Sequence, residues 1–184
     1  MGEKFVPGKN TDTRNLRETA TQTDYVADKA YMEERRQLQE ETRDRGMQEA
    51  GRRARAQILD AYKKTRGERA KYYDVEIDDV GVFENGQLFG GAKMSYVRVE
   101  DMPLPYGEWN PDHPNPEYPP KKTSLTLDYL YAKLKSSAGL VSLKPYGQED
   151  IKYVVKFKPV ENGDPTSPVF AVLNTNFELL AFQN

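Results

Sequence analysis

Cysteine is absent from this chain of 184 residues, and histidine occurs once, as His113. Without cysteine the protein has no disulfide bond, no thiolate zinc site and no cysteine nucleophile. His113 lacks a second strong nitrogen or sulfur ligand for a metal, and it has no serine partner at a spacing typical of catalysis. No nucleotide-binding loop or zinc-peptidase motif occurs in the sequence. We therefore expect no metal, no cofactor and no enzymatic activity.

Long apolar runs are also missing from the sequence. A membrane-spanning helix needs about 20 consecutive apolar residues, and residues 1–10 lack the apolar centre of a signal peptide. We expect a soluble chain without membrane insertion, whose location stays open between virion, cytoplasm and organelle interior. Apolar residues make up 37% of the chain and charged residues 30%. The polar excess lies in the first third, so the last two thirds can still form a core.

The absence of proline from residues 25–71 favours one long, charged helix. Its apolar residues recur three or four positions apart, which places them on one side of the helix. Because this stripe is rich in alanine, we expect the helix to extend from a globular body or to lie on another protein. Gly46 and Gly51 predict a break or bend near residues 46–51. The stripe consists of Tyr31, Leu38, Met47, Ala50, Ala54, Ile58, Ala61 and Tyr62.

The segments on either side of this helix differ in composition. Residues 1–24 are polar, and we expect a flexible arm that becomes ordered only on a partner. Residues 72–184 show alternating apolar positions, turn signals such as Asn85-Gly86, and one short amphipathic segment that follows Thr123-Ser124 as its cap. The predicted fold class is α+β: a long N-terminal helical extension followed by a small antiparallel sheet of about five strands with one short packed helix.

Within this second segment, residues 101–122 contain seven prolines, which exclude a helix or the interior of a sheet. Tyr106, Trp109 and Tyr118 are interleaved with the prolines. One interpretation is a long connection that its aromatic residues hold against its own domain. The other is a docking loop, because tyrosine, tryptophan and proline provide contact area at low entropic cost.

The helix ends in a basic block. Residues 52–71 carry eight basic side chains and two acidic ones, and the acidic residues 74–84 follow. The simplest interpretation is a solvated helix face that its acidic neighbour partly neutralises. A partner protein is the second interpretation, and nucleic acid is a minor third, since no aromatic residue is interleaved with the arginines. The candidate partner-binding residues of this block are Arg52, Arg53, Arg55, Lys63 and Lys64.

Together these patterns predict a non-catalytic structural or linker subunit of a large assembly, such as a virion component or an organellar complex subunit. Other protein subunits are the expected partners, and docking would use the arm, the helix and the proline-rich loop. Tyr25 and Tyr31 join Tyr106, Trp109 and Tyr118 as its aromatic contact residues. The alternative is a nucleic-acid-binding protein that uses residues 52–71. An enzyme or ligand-binding domain built on the sheet is the weakest of the three hypotheses.

Overall fold

A computed structural model describes residues 12–97 and 122–184, with side chains described over residues 26–96 and 123–184. The predicted α+β class is confirmed. By their internal contacts the residues fall into two units, Met1–Thr42 and Arg43–Asn184. The elements in chain order are helix α1 (Asp12–Arg66), a 3-10 helix (Gly67–Tyr72), strands β1 (Tyr73–Glu84), β2 (Gln87–Gly90), β3 (Ser95–Val97) and β4 (Lys122–Ser124), helix α2 (Leu127–Lys135), strand β5 (Leu140–Ser142), a short 3-10 helix (Gln148–Asp150), and strands β6 (Tyr153–Glu161), β7 (Asp164–Pro165), β8 (Val169–Leu173) and β9 (Leu179–Gln183).

Helix α1 begins earlier than the sequence predicted. It starts at Asp12, inside the segment expected to be a flexible arm, and it ends at Arg66 rather than at residue 71. The early start has a local reason, because residues 12–24 contain neither glycine nor proline and include alanine, leucine, arginine and glutamate, which form helices readily. The remainder of the expected arm, residues 1–11, lies outside the described residues.

The break predicted near residues 46–51 is wrong, because α1 runs through both glycines without interruption. A Cβ atom at Gly46 would lie 2.8 Å from Tyr153 Oη, and one at Gly51 would lie 3.2 Å from Val80 Cγ2. The two glycines therefore lie where the helix backbone passes close to side chains of the sheet. Their function is close packing, and the neighbouring sheet compensates for the helix propensity that they lack.

The alanine-rich stripe forms core within residues 43–66, contrary to the expectation of a helix held away from the body. Ala50, Ala54 and Ile58 have no exposed surface. They belong to a cluster in which the sheet supplies the large side chains, among them Phe157 and Phe182. Small helix residues are sufficient here because bulky residues of the strands fill the space between helix and sheet.

The main sheet has seven strands, more than the five expected, in the order β2-β1-β6-β8-β9-β5 with β7 beside β6. All of its pairings are antiparallel, as predicted. Alternate residues of β6 enter different clusters: Val155 and Phe157 pack with α1, whereas Val154 packs with Leu130 and Leu134 of α2. Residues 43–184 thus form three layers, with a helix on each face of the sheet.

Of the local signals in the sequence, the Asn85-Gly86 turn is met and the predicted cap of α2 is displaced. Asn85 and Gly86 have φ values of 53° and 78°, as the predicted hairpin turn requires. The cap of α2 is Thr126, whose hydroxyl accepts a hydrogen bond from the Tyr129 amide at 3.2 Å. The predicted cap Thr123-Ser124 instead lies in β4, which pairs with β3.

We expect Gly51→Leu to destabilise the protein by about 1–3 kcal/mol, because the new side chain would overpack the contact with Val80. Ala56→Leu is the matched control, since Ala56 is exposed on the same helix and its replacement should change stability by no more than about 0.5 kcal/mol. Urea unfolding followed by circular dichroism measures both. Equal stability of the two variants would contradict the close packing of α1 on the sheet.

Gln57 provides the second test of this packing, through hydrogen bonds to the β8–β9 connection and to the start of β9. Its side-chain amide donates to the Phe177 carbonyl at 2.8 Å and accepts from the Leu179 amide at 2.9 Å. Gln57→Ala leaves both backbone groups without this partner, and we expect a loss of about 1–3 kcal/mol. Gln48, an exposed glutamine of the same helix, gives the control Gln48→Ala. A Gln57→Ala variant as stable as the control would show that water replaces these bonds at no cost.

Candidate partner-binding surfaces

A metal ion and a membrane would each need a particular kind of site among the described residues. Within residues 12–97 and 122–184 no group of three or more histidine and carboxylate side chains is placed to hold a metal ion. None of the helices described there has the length and apolar content to cross a membrane. His113 lies outside the described residues. The candidate binding surfaces are the charged and apolar faces of α1 and a cleft beside its carboxyl end.

The predicted basic residues of α1 are exposed, but most of them pair with acidic residues of the same chain. Arg52 and Arg53 contact Glu49 at 2.5 Å and 2.6 Å, and these hydrogen bonds lower the pKa of Glu49, that from Arg52 most. Lys64 lies 3.1 Å from Asp60. Such exposed pairs contribute little stability, but they reduce the net positive charge that the helix presents to a polyanion.

Arg55 contacts the acidic segment that follows the helix. This contact agrees with the interpretation that the acidic segment partly neutralises the basic block. Its guanidinium lies 2.6 Å from Asp74 and donates to the Val75 carbonyl at 3.2 Å. Lys63 is exposed and makes no ion pair with any described residue. Of the five basic candidates, Lys63 is therefore the one that no carboxylate of the described residues neutralises.

Sequence reasoning missed Arg43, which joins α1 to the β1–β2 hairpin. Two of its nitrogens donate to one oxygen of Glu84 at 3.0 Å and 2.8 Å, and its guanidinium lies 3.9 Å from the centre of the Phe89 ring. The hydrogen bond from Arg43 lowers the pKa of Glu84. No spacing rule along the helix could have found this pair, because its members are 41 residues apart.

Of the aromatic candidates, Tyr31 alone has a described side chain, and it is 59% exposed. Leu38 is 54% exposed and follows Tyr31 by seven residues, so the two lie on the same face of α1. Glu34 and Glu41 fall on this face as well and make no ion pair with described residues. We call Tyr31, Glu34, Leu38 and Glu41 the docking face. Tyr25, Tyr106, Trp109 and Tyr118 lie outside the residues whose side chains are described.

On the opposite face of this part of α1, the charged side chains pair with one another. Arg36 pairs with Glu33, and it also lies 2.8 Å from Glu40. The hydrogen bond from Arg36 lowers the pKa of Glu33. At about 100° per residue, Arg36 lies roughly 140–160° around the helix from Tyr31 and Leu38. The two faces therefore differ: one is internally paired, and the other combines apolar side chains with two unpaired carboxylates and Arg35, whose guanidinium lies 6.0 Å from the centre of the Tyr31 ring.

A cleft of about 520 Å³ lies where α1 gives way to the 3-10 helix and β1. Its lining includes Tyr73, whose ring stacks on Tyr62 at a centroid distance of 3.6 Å. The Tyr73 hydroxyl is buried and has no hydrogen-bond partner among the described residues. Burial therefore raises the pKa of Tyr73 well above its usual value. Spacing in the sequence gives no sign of this cleft, which depends on how the chain turns after Arg66.

Burial also raises the pKa of Tyr146 and Tyr153. A folded-state pKa above the unfolded value means that stability is complete below about pH 10, the unfolded pKa of tyrosine, and falls as pH rises further. At pH 7 we expect Tyr73→Phe to be as stable as the wild type, or more stable by up to about 1 kcal/mol, since the substitution removes an unpartnered hydroxyl. Above about pH 10 the stability of Tyr73→Phe should decline less steeply than that of the wild type.

Urea unfolding between about pH 7 and pH 11 measures this difference, with Tyr72→Phe as the control because Tyr72 is 59% exposed. The control should follow the wild type at every pH. A Tyr73→Phe variant that loses stability at neutral pH, or that declines as steeply as the control in alkali, would show that the Tyr73 hydroxyl has a stabilising partner.

Comparison with known proteins identifies no relative of this chain. No protein-family model, no curated protein and no solved structure matches it. What the protein does therefore has to be inferred from its own side chains, and the docking face is where their exposure and charge are least explained by the fold itself.

Proposed function

We propose that this protein is a non-catalytic structural component of a larger assembly, and that it binds another protein through the docking face of α1. The observation that supports this most directly is the exposure of apolar side chains there. Tyr31 and Leu38 are more than half exposed, as is Met32 nearby. Farther along the same helix Ala50 and Ala54 have no exposed surface. Several of the larger apolar residues of α1 are thus left in water while small ones are buried.

The energetic argument follows from the size of these side chains. Full burial of a leucine or a comparable side chain stabilises a complex by about 1.5–3 kcal/mol. Tyrosine at an interface adds a polar tip and loses little conformational entropy. Two such residues on one helical face match the anchors of helix-in-groove recognition, in which positions three, four and seven residues apart enter the partner.

The charges of the docking face indicate the chemistry of the partner. Glu34 and Glu41 lie beside Leu38, and neither pairs with a described residue. A second copy of the chain would bring Arg35, which lies over the Tyr31 ring, but it would also bring two more carboxylates. The excess of like charge at such an interface opposes association. A different protein with apolar side chains flanked by lysine or arginine would complement the face. We therefore commit to a basic amphipathic segment of another protein as the occupant.

Nucleic acid remains the alternative function, through residues 52–71. It has weaker support because Arg52, Arg53, Arg55 and Lys64 are each engaged by a carboxylate of this chain. Phosphate contacts of the usual kind would have to displace these pairs. Docking through Tyr106, Trp109 and Tyr118 stays a prediction from sequence.

The test is the native mass of the particle in which the chain occurs. The tagged protein, purified from cells that naturally express it, is expected to elute in a particle that contains at least one other protein. The double variant Tyr31→Asp/Leu38→Asp should elute at the mass of the free chain. Glu34→Lys/Glu41→Lys should weaken the association at least about tenfold, because it reverses the charges that a basic partner meets.

Arg36→Gln is the matched control, since Arg36 lies on the paired face of the same helical segment, and it should leave the particle intact. A wild-type protein that is monomeric, or a Tyr31→Asp/Leu38→Asp variant that still enters the particle, would overturn the proposal. A particle whose mass is a whole multiple of this chain alone would contradict the basic partner and indicate self-association.

A further inference from the structure

We infer that the cleft at the carboxyl end of α1 binds a small amphiphilic carboxylate, with the apolar part of the ligand on the cleft floor and its carboxylate between Lys63 and Lys71. This site is separate from the docking face, and the inference is independent of the proposed function. The ligand class follows from the composition of the cleft lining, which combines apolar residues with lysines.

The floor of the cleft is apolar. Leu59 of α1 and Ala70 of the 3-10 helix line it and are packed against the core with part of their surface exposed. Tyr73 completes the floor, and its ring is held in place by stacking on Tyr62. A volume of about 520 Å³ lies within the range of small-molecule sites. Apolar surface left accessible in a recess of this size favours an alkyl or aryl group over water.

The rim of the cleft is charged. Lys63 and Lys71 both line it, and neither makes an ion pair with a described residue. The Lys71 ammonium lies 5.0 Å from the centre of the Tyr72 ring, which leaves its hydrogen-bond donors available. Glu68 lines the same cleft and reduces the net charge of the lining to +1. This balance suits a ligand with a single negative charge better than a phosphate ester, which carries more.

A carboxylate is a better match for this cleft than a neutral amphiphile. Lysine ammonium groups gain charge-assisted hydrogen bonds from a carboxylate that an amide or alcohol does not provide at equal strength. The other lysine of this region, Lys64, is already paired with Asp60 and does not line the cleft. Among the lysines of this described region, those that line the cleft are therefore the ones left unpaired.

The experiment is a titration of the full chain with sodium octanoate, followed by amide NMR shifts. We expect saturable shifts confined to residues around Leu59, Ala70 and Tyr73. Octanamide, with the same alkyl chain and no charge, should bind at least about tenfold more weakly. Lys63→Gln/Lys71→Gln should weaken octanoate binding at least about tenfold, and Lys64→Gln should leave it within about twofold of the wild type, since an exposed, paired lysine contributes little.

Absence of saturable shifts at the cleft would overturn the inference. So would equal binding of octanamide, or octanoate binding that Lys63→Gln/Lys71→Gln leaves unchanged. Loss of binding in Lys64→Gln to the same degree would show that general surface charge attracts the ligand, and this too would contradict the site. The Tyr31→Asp/Leu38→Asp variant should bind octanoate like the wild type, so failure of the docking proposal and failure of this one give different results.

Discussion

The close approach of α1 to the sheet is the constraint on which the body of this protein depends. Glycine and alanine on the helix face allow its backbone to lie near the strands, and the strands supply phenylalanine, tyrosine and leucine to fill the gap. Packing energy depends on how completely the space is filled, whichever partner provides the atoms. A helix that is poor in large apolar residues can therefore be a full member of a core when its neighbour is rich in them.

Polar contacts help to determine where along the sheet this helix segment lies. Regularly spaced alanines specify the position weakly on their own, and Gly46 and Gly51 specify it further because they leave room for Tyr153 and Val80. Gln57 contacts backbone groups of the β8–β9 connection, and Arg43 contacts Glu84 near the β1–β2 turn. These contacts hold residues 43–66 at two separate points. A shift by one turn would break both sets of bonds and leave partly buried polar groups unpaired.

Most of the sheet could be predicted from sequence because its signals are local. Alternation in β6 and the Asn-Gly turn at Asn85 specify strand faces and hairpins within a few residues. The role of Gly46 and Gly51 could not be predicted in this way. A glycine in a helix weakens it in isolation, and only the position of Tyr153 and Val80, distant in sequence, shows that the missing side chain is required. The same limit applies to the cleft, whose lining comes from three consecutive elements in a turn that no motif specifies.

Helix α1 also shows why the composition of a stripe does not by itself indicate whether it is buried. Among its described residues, the stripe is rich in small side chains where it is covered, and it keeps large ones where it is exposed. A face that evolved only for contact with water would have no need of Tyr31 and Leu38, and it would pair its carboxylates as the opposite face does with Arg36. Large apolar residues beside unpaired glutamates are better explained by a surface that binds another molecule. The proposed basic partner follows from the net charge of this face, because the two unpaired glutamates outnumber Arg35, whose guanidinium lies 6.0 Å from the centre of the Tyr31 ring.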